Sequence, residues 1–150
     1  MKQPPWPGAV APDPAPRVID EKTAEFVEII DKQIADCESV IKRYVVNIAA
    51  VGPCFALESC DALLETAAEI GVWERRKKAL TGPDSKATLT TIKEHAIREV
   101  MRHASDMKRS TSTTSRLAHK ATGAAWADVL DKMLWAGVID RMPGQPEPGR

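Results

Sequence analysis

No stretch of this 150-residue chain stays apolar long enough to span a bilayer, so neither a membrane-crossing helix nor a membrane partner is expected. The opening residues, Met1 to Trp6, lack the apolar core of a secretory signal, which leaves the cytoplasm as the expected compartment. Cysteine is scarce: Cys37, Cys54 and Cys60 are an odd set without CxxC spacing. That set suits neither a disulfide framework nor a common zinc pattern, and reduced thiols packed as small hydrophobes are expected. GxGxxG, P-loop, HExxH and GxSxG signatures are missing too. No catalytic residue, cofactor or metal is therefore assigned, and a non-enzymatic protein is expected.

Net charge is also absent, since 21 basic residues cancel 21 acidic ones. The cancellation is segregated along the chain. Val18 to Glu74 holds 12 acidic and 4 basic residues, whereas Arg75 to Lys120 holds 12 basic and 4 acidic. Two oppositely charged helical layers would attract each other within one fold. The alternative is a basic face offered to a polyanion or to a second copy.

What is present is mostly helical periodicity. Residues 1–17 contain six prolines, which makes them a flexible, solvated arm, with Trp6 as its one partner anchor. Residues 18–142 form the domain, and 143–150 repeat the Pro/Gly-rich character as a flexible tail. Asp20 reads as an N-cap. From there Phe26, Ile30, Ile34, Cys37, Ile41, Tyr44 and Ile48 step by three or four, the repeat of one helix face. That helix runs to about Val51, where Gly52-Pro53 stops it. Its stripe packs inside a bundle, with a coiled-coil dimer seam as the alternative. A second helix is expected over 54–71, ended by Gly71, followed by a short basic segment to Leu80. A third runs from near Thr88 to Arg109, with Leu89, Ile92, Ala96, Val100, Ala104 and Met107 buried. The expectation is an all-α protein, a compact bundle of four or five helices, with at most a short C-terminal β wing.

Three clusters invite a functional reading. The tetrad Arg75, Arg76, Lys77 and Lys78 suits phosphate contact, though a solvated helix face explains it as well. His95, Glu99 and His103 fall four apart on one helix face. The full span is too long to close around one ion, so a solvated face is the reading. Ser110 to Ser115 are six hydroxyl residues in a row, which favour caps and turns. Thr113 or Ser115 would cap a short helix ending near Thr122, and Gly123 would turn the chain into a last helix from Ala125 to Ala136.

Leu130, Met133, Leu134, Gly137, Val138, Ile139 and Arg141 then follow a spacing that resembles the second half of a winged helix-turn-helix domain. The resemblance covers about a fifth of the chain directly and implies a winged-helix-like part over 88–142. It makes Ala125 to Ala136 the recognition helix and starts the wing at Val138. It also implies nucleic acid as a partner. Asp128 and Asp131 on that helix oppose phosphates. Contact would therefore come from Lys108, Arg109, Arg116 and Lys120, on the backbone rather than on bases.

Two functions stand side by side. One is a helical protein-interaction subunit, acting in a larger protein or nucleoprotein assembly or as an inhibitor of a partner. It would use Trp6 and Trp135 as anchors on a protein partner or on itself. The other is a winged-helix-like nucleic-acid-binding protein with a basic contact face. The acidic recognition helix favours the first.

Overall fold

In a computed structural model of the chain, residues 17–142 are described, and they build an all-α bundle of five helices. The proline-rich arm with Trp6 and the 143–150 tail lie outside the described residues. The helices are α1 (Glu21–Val51), α2 (Pro53–Glu58), α3 (Cys60–Thr81), α4 (Leu89–Arg109) and α5 (Thr113–Trp135). No strand occurs among the described residues. α4 packs on α5, α5 on α3, and α3 on α1, so α3 and α5 are the inner pair.

Local chemistry sets most helix ends. Asp20 accepts the Thr23 amide at 2.7 Å and caps α1. At the other end Gly52 takes φ of 102°, a conformation that favours glycine, and Pro53 opens α2. Thr88 and Thr91 exchange side-chain and backbone bonds in a capping box at the start of α4. Ser112, rather than Thr113 or Ser115, caps α5. Arg17, counted with the arm in the sequence reading, is tied to the domain. Its Nη1 donates to the Ala79, Leu80 and Ala87 carbonyls, satisfying acceptors at the α3 terminus and in the loop beyond it.

Two glycines expected to end helices do not. α3 runs through Gly71 and absorbs the basic segment to Thr81, while the chain bends earlier, at Ser59. The residues after Gly71 explain the difference. Val72 and Trp73 are fully buried against Phe26 and Ile30 of α1. Burying them offsets the roughly 1 kcal/mol that a helical glycine costs. α5 likewise continues unbroken through Gly123, so there is no turn between 122 and 125. Here the glycine serves contact between helices: a β-carbon on it would stand 3.2 Å from Cβ of His103 on α4.

These two sites give opposite expectations. At Gly71 a β-carbon would meet only Arg75 side-chain nitrogens, at 3.8 and 3.9 Å. Gly71→Ala should therefore raise stability by about 0.5–1 kcal/mol through helix propensity. Gly123→Ala should forfeit that gain and lower the urea midpoint, because His103 Cβ is fixed to a helix backbone and yields little. A midpoint rise for both would mean that α4 and α5 have slack at this crossing.

The Gly137-Val138-Ile139 run ends α5. Val138 N donates to Met133 O at 2.8 Å and Gly137 N to Leu134 O at 3.1 Å, with Gly137 at φ 74°. This is a Schellman cap, and Val138, Ile139 and Met142 fold back onto the core.

Candidate interaction surface

The residues named from sequence are dispersed by the fold. Within the α3 tetrad, Arg75 and Lys78 are exposed, while Arg76 and Lys77 are engaged. Lys77 Nζ meets Asp31 at 2.6 Å and ties the basic end of α3 to α1. That half-exposed pair contributes at most about 1 kcal/mol. Arg76 turns inward, and its guanidinium lies 4.7 Å over the Trp126 ring. Burial, followed by Arg75, holds its pKa below the usual arginine value, and its Nε is buried without a partner. His95 meets the same indole edge-on at 4.9 Å. Trp126, at the head of the helix that the resemblance assigns to recognition, is thus a core residue clamped between α3 and α4.

Lys108, Arg109 and Arg116 do gather, around the connection between α4 and α5. Arg109 pairs with Asp106 at 3.1 Å, and Arg116 donates to the Ser110 carbonyl at 3.1 Å. Lys120 is exposed one turn further along α5. Two of these four cations are thereby engaged within the chain. Trp135, the second anchor named from sequence, is 80% exposed beside a groove between α1 and α5.

Exposed apolar side chains gather at the far end of α1. Residues 40–51 read VIKRYVVNIAAV, nine apolar residues against two charges. One face suffices for packing: Ile41, Tyr44 and Ile48 are half-buried toward α2 and α3. Apolar side chains outside that face stay in water, interspersed with exposed Lys42, Arg43 and Asn47. Val45, Val46 and Val51 are 57%, 65% and 67% exposed, and Leu57 on the adjoining α2 is 80% exposed. Beside this apolar end, Tyr44 and Phe55 stack at 6.0 Å. They line a groove of about 490 Å³ with Val40, Arg43 and Asn47. The stripe of Ile41, Tyr44 and Ile48 was legible in sequence. The exposed valines were missed because a periodicity search rewards one face and ignores apolar residues that fall outside it.

A second set of groups is polar and part-buried. Cys37 Sγ donates to Glu69 Oε2 at 3.3 Å between α1 and α3. Burial, and then the Glu69 carboxyl, push the thiol up to about 12, so it is an inert proton donor. Glu69 is itself pushed up to about 7, by burial first and then by its hydrogen bond with Asp128 of α5. The fold favours the protonated acid. Its contribution to stability is complete below the unfolded value near 4.5, falls as pH rises toward 7, and stays lost above that. Glu69→Gln should therefore stabilise the protein at pH 8 by on the order of 1–2 kcal/mol after screening, and change little at pH 4.5. Urea titrations at the two pH values check this, and equal shifts at both would refute the raised Glu69 acid.

The histidine face of α4 is not solvated as the sequence suggested. His103 is buried at 7% exposure, and its Nδ1 lies 3.0 Å from Nδ1 of His119 on α5. Glu99 Oε2 is 3.3 Å from its Nε2, and Arg102 Nε binds that carboxylate at 3.1 Å. His103 takes the stripe position expected for Ala104, which is exposed. No group of three metal-ligating side chains occurs among the described residues. No helix there is long and apolar enough to cross a membrane.

Comparison with known proteins finds no matching family model, no matching curated protein and no matching solved structure.

Proposed function

We propose that the protein is a non-enzymatic helical interaction subunit whose contact surface is the apolar end formed by the last three turns of α1 together with α2. The observation that carries this is the exposure of Val45, Val46, Val51 and Leu57 around one projecting end, next to the Tyr44–Phe55 groove. Water-exposed apolar side chains clustered beside an aromatic-lined groove are what a protein interface buries. The end carries Lys42 and Arg43 but few other charges, so the complement is an apolar helical surface flanked by carboxylates. A second copy is the first partner to test. Trp135 supplies a second anchor, beside the groove lined by Glu25, Ile29 and Lys32 of the first half of α1.

Nucleic-acid binding is the alternative. It would use Lys108 and Lys120 near the α4–α5 connection, with Arg75 and Lys78 on α3. Engagement of Arg76, Lys77, Arg109 and Arg116 within the fold weighs against it. Replacing Val46 and Leu57 together with Asp tests the choice. Loss of complex formation without loss of stability supports the protein surface. An intact complex that instead weakens steeply with salt would replace it with backbone contact to nucleic acid.

A further inference from the structure

We propose that His103 and His119 form a two-nitrogen site for a divalent late transition metal ion, such as zinc, nickel or copper(II), held between α4 and α5. The two Nδ1 atoms face each other at 3.0 Å. Ligand nitrogens about 2.0–2.1 Å from one ion and subtending 90–110° stand roughly 2.9–3.4 Å apart. The pair therefore has the separation of two ligands on a single ion.

Three neighbouring features suit that role. An imidazole that binds metal through Nδ1 carries its proton on Nε2. At His103 that atom lies 3.3 Å from Glu99 Oε2, a carboxylate placed to receive the proton and orient the ring. Glu99 is in turn held by Arg102. Burial, and then the Arg102 charge, keep His103 below the usual histidine pKa, which favours the neutral ring that metal binding needs. Gly123 allows α5 to approach His103 closely enough to bring His119 opposite it. The remaining coordination positions belong to water, which reaches the ion past the half-buried His119.

Without metal, one shared proton links the two rings, and the same distance would serve a plain histidine–histidine hydrogen bond. Titration separates the two. The full chain, with exposed Cys54 and Cys60 replaced by Ser so that thiols do not compete, is titrated calorimetrically with Ni2+ and with Zn2+ at pH 8. The proposal predicts one ion per chain at micromolar affinity and a higher melting temperature. It predicts at least tenfold weaker binding for His119→Gln, and about tenfold weaker binding at unchanged stoichiometry for Glu99→Gln. Ring nitrogen resonances of His103 and His119 should shift together on zinc addition while those of His95 stay. This last readout needs no variant to fold. No saturable binding tighter than about 1 mM, or binding unchanged in His119→Gln, overturns the proposal. So does a zinc response confined to His95.

Discussion

Trp73→Ala should lower the unfolding free energy by about 3–5 kcal/mol, a large share of what a domain of this size possesses. Trp73 is fully buried in α3, its ring 6.4 Å from Phe26 of α1. It sits where the α1–α3 pairing meets the core shared with α4 and α5. Truncation would leave a cavity walled by rigid helices, which cannot collapse fully. Trp73→Phe should cost much less, for two reasons. Phenyl retains most of the apolar contact. The indole Nε1, buried without a hydrogen-bond partner, disappears along with its desolvation penalty of about 1–3 kcal/mol. Urea midpoints at constant slope give both numbers. Equal losses for Ala and Phe would mean that the indole N–H is satisfied by water.

The paired change Val46→Asp with Leu57→Asp should weaken assembly at least 100-fold, or about 2.7 kcal/mol. Each carboxylate would have to be desolvated against an apolar partner surface, a cost that no cation near either position offsets fully. Monomer stability should change by no more than about 0.5 kcal/mol, since both side chains are mostly in water already. Sedimentation velocity of the purified chain, from about 1 to 100 µM, reads self-association directly. The wild type should shift to larger species with concentration, and the double variant should not. Identical sedimentation of the two would exclude a second copy as the occupant of this surface.

Helix termini were the most legible part of the sequence, because caps are written in neighbouring residues. Asp20, Gly52-Pro53 and Thr88 act where they were expected to act. Interior glycines were misread for a physical reason. Whether glycine stops a helix depends on what the following residues bury, and Trp73 after Gly71 and Ala125 after Gly123 go into the core. Gly137 shows the same ambiguity from the other side. The run whose spacing resembles a winged-helix recognition helix closes α5 with a Schellman cap, and small residue, glycine and aliphatic pair all serve that stop. The His103–His119 contact was beyond reach, since it links residues 16 apart through the crossing of two helices.

The most direct test of the interaction surface places a photoreactive phenylalanine analogue at Val46 or at Leu57, with exposed Lys86 as control. Irradiation in cells is followed by sizing of the adducts, with and without nuclease treatment. The account predicts discrete protein adducts from 46 and 57, resistant to nuclease and absent from the control, with one at twice the chain mass if the partner is a second copy. No adduct at either position, or adducts that nuclease removes, would contradict it.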